Sequence, residues 1–213
     1  MELERHLERV KPRLRGILHQ VAFFVSLVTG PILIWTAGVA GRIGALIYSV
    51  AMSGLFGVSA LYHRLNWRPR ARAWLRRLDH TMIFVFIASS FTPLGLTLGT
   101  SWARIVLIAV WSAVAVAVLI RLFPFKVPKP VAVIPYLALG WLGVTLFPGA
   151  TTRLGWAPTI LFAIGGLAYT AGAIVYARRR PDPKPATFGY HEIFHAFVIL
   201  GAYLHYAAIA GVS

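Results

Sequence analysis

Three short strings hold most of the chemistry this chain can do: Ser59-Ala-Leu-Tyr-His63, Asp79-His80 and His191-Glu-Ile-Phe-His195. His191 and His195 are four residues apart, so on a helix they share one face, about 6 Å apart along the axis. Two imidazoles at that spacing can chelate one cation. Ser59 and His63 repeat the offset. With His63 as a third ligand, the set would be three histidines with an open fourth position. That is the arrangement of a catalytic zinc, which lowers the pKa of a bound water to about 7. The chain has no cysteine, which excludes disulfides, thiolate metal sites and cysteine nucleophiles. Imidazole, carboxylate and water favour zinc over softer-metal sites. Asp79 is placed to hydrogen-bond that water and take its proton. Ser59, one turn from His63, would orient a ligand or stabilise a developing oxyanion. His191-Glu192-x-x-His195 also matches the H-E-x-x-H signature of zinc metalloproteases, in which Glu192 would be the general base and Asp79 a third ligand.

The elements that must position these residues are membrane spans. Of 213 residues, 58% are hydrophobic and only 13% charged, with a mean hydropathy of +0.72. Soluble domains carry roughly 45–50% apolar and about 25% charged residues, so a soluble globule is excluded. A hydrocarbon core of roughly 30 Å takes about 20 apolar residues as a helix. Seven such stretches run near 19–41, 43–63, 79–99, 102–122, 131–147, 155–177 and 189–211. The expected fold is all-α, a polytopic seven-transmembrane helix bundle spanning 19–213. Residues 1–18 precede it, with an amphipathic interfacial segment from Glu2 to Arg15.

The 21 Lys and Arg residues fall in alternate connections, 18 on one side and three (Arg42, Arg104 and Arg153) on the other. The positive-inside rule then puts the N-terminus in the cytoplasm and the C-terminus outside. The net charge of +15 reads as a topology signal and an attraction to anionic lipid headgroups, with no nucleic-acid partner implied.

This topology brings three segments that are distant in sequence to one depth. The end of the second span (Ser59, His63) and the starts of the third (Asp79, His80) and seventh (His191, Glu192, His195) all fall at one depth. Ionisable groups inside spans are costly and mark function. His19 reads as an interfacial residue. His205, ten residues past His195 and roughly 15 Å away, reads as a packing or hydrogen-bonding group. Asp79 could also be only a helix N-cap, Asp182 a solvated loop residue, and Arg178 to Arg180 partners of Glu192. The small residues and prolines of the spans, such as Gly54, Pro93, Gly143 and Gly165, suit close helix packing or a gap for an acyl chain.

Ser59-Ala-Leu-Tyr-His63, Leu78-Asp79-His80 and His191-Glu-Ile-Phe-His195, with Ala88-Ser-Ser-Phe-Thr-Pro-Leu94 and Ile134-Pro-Tyr-Leu-Ala-Leu-Gly-Trp141, resemble the hemolysin III branch of the progestin and adipoQ receptor (PAQR) family. That family lies in the CREST superfamily of membrane hydrolases, which includes the alkaline ceramidases. The resemblance implies a seven-helix bundle with zinc near the cytoplasmic face, held by His63, His191 and His195, with Asp79 as the water-linked acid and Ser59 beside it. It also implies a bacterial inner-membrane setting and either hydrolysis of a ceramide-like lipid or regulation of membrane lipid state. The rival expectations are a channel-forming cytolysin and an intramembrane zinc protease.

Overall fold

The computed structural model describes residues 11–122 and 129–212. Eight α-helices lie in these segments: α1 (Ile17–Thr36), α2 (Arg42–Arg64), α3 (Pro69–Leu98), α4 (Ser101–Leu122), α5 (Lys129–Leu142), α6 (Phe147–Leu154), α7 (Trp156–Arg178) and α8 (Tyr190–Ala210). A 3₁₀ turn, Gly143–Leu146, joins α5 to α6, and the three pieces make one broken span. Seven helical segments are thus long and apolar enough to cross a membrane. Chain neighbours pack together, α1 on α2, α2 on α3, α3 on α4 and α7 on α8, and α8 closes the bundle against α1. This is the expected all-α seven-span architecture. Helices are the only answer available to an open chain in hydrocarbon, because each satisfies its own backbone polar groups.

Local chemistry explains the boundaries. Large apolar side chains such as Phe24, Ile108 and Leu167 are exposed, as a lipid-facing surface requires, while Tyr48, Phe56, Met52 and Leu94 fill the interior. Trp74 at one rim and Trp35, Trp102 and Trp156 at the other are exposed, which matches two interfacial belts. Hydroxyls inside α3 turn back on their own helix: Ser90 donates to the Phe86 carbonyl at 2.8 Å and Thr97 to the Pro93 carbonyl at 2.9 Å.

Three boundaries differ from the hydropathy reading. α1 ends at Thr36, short of residue 41. The fifth span runs on to Leu154, past a break where Gly143 sits against the Phe91 ring and Pro148 lacks a backbone N–H. The third span matters most. Its helix starts at Pro69, ten residues before Asp79. Pro69 suits the first helical turn and the Arg, Ala and Leu that follow are good helix formers, so the helix projects past its apolar part. Asp79 is therefore inside a helix and is not an N-cap. The amphipathic segment expected from Glu2 to Arg15 lies mostly outside the described residues. Of its tail, Arg13 to Gly16 form a turn, with Ile17 as the first helical residue.

α2 and α3 approach at Gly44, where an added Cβ would stand 2.7 Å from the Pro93 Cα. Backbone cannot yield there as a flexible side chain can. Gly44→Ala should lower stability by about 1–3 kcal/mol, read as a drop in thermal midpoint. Gly140→Ala, whose Cβ would meet nothing within 4 Å, should leave the midpoint unchanged or raise it.

Candidate metal centre

The N-terminal strap, the end of α2 and the start of α8 are laced together at one end of the bundle. The Arg13 and Leu14 amides donate to the carbonyls of Ala186 and Thr187 at 3.1 and 3.2 Å. Lys11 Nζ donates to the Arg64 carbonyl at 2.9 Å. Partial burial of its ammonium, with the charges of Arg64, Arg72 and Arg15, holds the Lys11 pKa below its usual value. Gly16 lets the strap enter α1: its φ is +80°, and a Cβ there would stand 2.7 Å from the His63 Cβ. Only glycine meets both requirements at low cost.

Glu192 is 1% exposed. Arg15 Nε donates to its Oε1 at 2.6 Å, and the Gly189 amide donates to its Oε2 at 2.8 Å. The Tyr190 amide donates to Asp182 at 3.0 Å. Two carboxylates thus answer the free N–H groups at the start of α8, where the helix dipole also favours negative charge. The partner of Glu192 is Arg15, from the far end of the sequence, and Asp182 is a capping residue as well as an exposed one.

This lacing places the first turns of α8 against α2. His63, His191 and His195 are all buried, and each offers a ring nitrogen within 4.8 Å of the others. His63 Nε2 and His191 Nε2 are 3.2 Å apart. Two imidazoles on one tetrahedral ion, with bonds of about 2.0–2.1 Å, hold their nitrogens about 3.3 Å apart. The donor set and the one direct spacing therefore fit a shared cation, so this group can hold a metal ion.

Asp79 Oδ2 lies 3.9 Å from His63 Nε2, with the carboxyl side chain 13% exposed. The buried Ser59 hydroxyl is within hydrogen-bonding reach of it. All five residues singled out from the sequence are thus in one place. His80 stands beside them, its Nδ1 3.9 Å from Asp79 Oδ2, but that nitrogen is 2.7 Å from the Arg76 carbonyl of its own helix, to which it donates.

His19 is the residue that sequence reasoning missed. It is 2% exposed, not interfacial, and its ring lies flat on His195 at 3.8 Å between centroids and 1° between planes. The available signal was its level: three residues into the first helix, at the same end as His63. His205 is buried, as a packing and hydrogen-bonding reading requires, with Nε2 3.1 Å from the Phe162 carbonyl.

A cavity of about 1480 Å³ begins at this cluster. Arg15, Arg76 and Arg77 line it at the basic end, and Ile87, Phe91 and Phe162 along its length. Val116, Trp141 and Leu167, from α4, α5 and α7, also line it and are exposed, so its wall between these helices is apolar and loosely closed. Ligand pockets are commonly roughly 300–1,000 Å³, so this one has room for a long chain.

Fold and site together define an integral multi-pass membrane protein with a buried three-histidine cluster at the head of an apolar cavity. The profile of the family described as Haemolysin-III related matches residues 7–206, and the chain belongs to that family. It is 30% identical over 158 residues to a Hemolysin-3 homolog of Bacillus subtilis (strain 168), covering 73% of this chain and 70% of that one. It is 26% identical over 192 residues to Hemolysin-3 of Bacillus cereus, covering 88% and 84%. A heptahelical transmembrane protein, ADIPOR2, of Oryza sativa subsp. japonica is 29% identical over 182 residues, covering 77% and 79%. The hemolysin III and PAQR resemblance is therefore supported.

Elemental analysis of purified protein should find one divalent metal per chain, lost in His63→Ala, His191→Ala and His195→Ala. Retention of full metal in all three would overturn the assignment. His19→Leu should keep the stoichiometry but weaken affinity against a chelator about tenfold, the lower end for an outer residue that orients a ligand. His19→Phe, which preserves the stack, should lose less.

Proposed function

We propose that this chain is a zinc-dependent hydrolase of lipid amides or esters, working at the cytoplasmic side of a bacterial inner membrane. One observation carries the proposal: the three histidines and Asp79 stand together at the head of an apolar cavity whose wall between α4, α5 and α7 is loosely closed. A soluble substrate would have no use for such a cavity. The basic end holds most of the described Lys and Arg residues, which supports placing it in the cytoplasm, next to anionic headgroups.

Zinc held by His63, His191 and His195 would polarise the scissile carbonyl and lower the pKa of a water to about 7. Asp79, 3.9 Å from His63 Nε2, would serve as general base, accepting the proton that the attacking water gives up as its oxygen bonds to the carbonyl carbon. Asp79 then delivers the proton to the leaving amine or alcohol as the C–N or C–O bond breaks. Ser59 holds the carboxyl in orientation and offers its hydroxyl to the oxygen that gains charge. The apolar walls hold the acyl chain and keep bulk water away from the ion.

The names of the two bacterial relatives, Hemolysin-3 homolog and Hemolysin-3, support a second reading, a cytolysin. The protease reading loses support from Glu192, because both of its oxygens are already engaged, by Arg15 and by the Gly189 amide.

A hydrolysis screen of ceramides and phospholipids separates these readings. Asp79→Asn should lower turnover by about 10²–10⁴-fold while retaining zinc. Glu192→Gln should lower stability by about 2 kcal/mol through its weakened bond to Arg15, with the folded fraction still turning over. Loss of turnover in Glu192→Gln alone, at full folded fraction, would move the general base from Asp79 to Glu192, and no lipid turnover with cleavage of a membrane peptide would favour the protease. Vesicle leakage that survives metal removal, with no hydrolysis in the wild type, would favour the cytolysin.

A further inference from the structure

The head of the cavity carries more positive charge than hydrolysis there would use. Arg15, Arg76 and Arg77 line it. Arg15 is engaged by Glu192. The other acids among the described residues are Asp79 and Asp182. Asp182 is tied to the Tyr190 amide and does not line the cavity, so only Asp79 is left to face two arginines. No carboxylate of the described residues stands within ion-pair distance of the Arg76 guanidinium. A divalent cation on neutral imidazoles would raise the excess further.

Helix α3 decides which arginines meet the cavity. Arg68, Arg70 and Arg72 are exposed and do not line it, as expected of charges that only mark the cytoplasmic rim. Arg76 is three residues before Asp79, hence on the same face, with Cβ atoms about 5–6 Å apart. It is exposed and stands one turn outside Asp79, at the cavity mouth. Arg77 is half-buried, and its guanidinium lies over the Trp74 ring, 5.0 Å from the centroid. Such a stack holds a long, flexible arm at the rim.

We propose that Arg76, with Arg77 beside it, binds a phosphate on the headgroup of the lipid whose amide or ester lies at the metal. This rests on the hydrolase reading above. In a phosphorylated sphingolipid or a glycerophospholipid, the scissile carbonyl is joined to phosphorus by the amide nitrogen or ester oxygen, the backbone carbons and a phosphate oxygen. That short bridge suits the rise from Asp79 back to Arg76, about 4.5 Å along the helix. The guanidinium fork meets phosphate oxygens with paired, charge-assisted hydrogen bonds. A neutral headgroup leaves the excess charge unanswered. The preferred substrates are therefore anionic phospholipids, with the chain in the cavity, the carbonyl at the metal and the phosphate at Arg76.

The test is equilibrium binding to the full chain in a maltoside detergent, which carries no phosphate, with metal and after chelation. The probes are a ceramide, the same ceramide phosphorylated on its primary hydroxyl, and inorganic phosphate. The phosphorylated ceramide should bind about tenfold tighter than the plain one, the size of one charge-assisted hydrogen bond. It should keep that advantage after chelation, because the arginines carry it. Arg76→Gln should erase most of the advantage while keeping metal content and affinity for the plain ceramide, and Arg76→Lys should restore part of it. Arg70→Gln, on the same helix but off the cavity, should leave it intact. Equal binding of the two ceramides overturns the phosphate site, as does inorganic phosphate binding as tightly as the phosphorylated lipid. Equal losses in Arg70→Gln and Arg76→Gln overturn it in favour of general surface charge. An advantage that vanishes on chelation yet survives Arg76→Gln overturns it by putting the phosphate on the metal. Turnover of the plain ceramide in any of these cases leaves the hydrolase reading standing. A preference lost in Arg76→Gln, with turnover of neither ceramide, supports the phosphate site and counts against the hydrolase.

Discussion

Imidazole is a poor fit for hydrocarbon, and this bundle places five of them where water is scarce. His19, His63, His191, His195 and His205 are all buried. An isolated polar group at such depth is destabilising unless something answers it. The architecture around the basic end follows from that constraint. α1, α2 and α8 converge so that three rings face one another and a fourth stacks on the group. Asp79 arrives from α3, still on a helix and therefore with its backbone satisfied.

Convergence of that kind needs a clamp, because helices in lipid gain little from hydrophobic burial against one another. The clamp is Arg15 on Glu192 at 2.6 Å, reinforced by backbone bonds from Arg13 and Leu14 to the loop before α8. One carboxylate joins the two ends of the sequence and caps the helix that carries two of the histidines. Buried charge is tolerated there because its partners are complete. The glutamate of the literal H-E-x-x-H string is thus engaged in assembly through both of its oxygens.

The cavity carries this chemistry into the depth of the bundle. A cation at the cluster would meet substrate only at the head of a long apolar space, with arginines at one end and exposed apolar side chains along one side. The proposed hydrolase would use that geometry for a molecule with a polar head, a reactive carbonyl near it and a chain to bury.

Much was legible from the residues alone. The four-residue spacings of Ser59/His63 and His191/His195, the alternating basic loops and the seven apolar stretches determined the seven spans and the depth shared by Ser59, His63, Asp79, His191 and His195. These features have periods of 3.6 residues or of one bilayer thickness, so local sequence expresses them directly. Only the tertiary structure decided the rest. It extended α3 back to Pro69, since helix propensity continues where hydropathy stops. It turned His19 inward onto His195, and it paired Glu192 with Arg15 across 177 positions. It also set His205 and Tyr169 into reciprocal glycine notches on neighbouring helices. Each of these depends on how one helix is rotated and seated against another, and that rotation is settled by packing between distant segments, which no local period encodes.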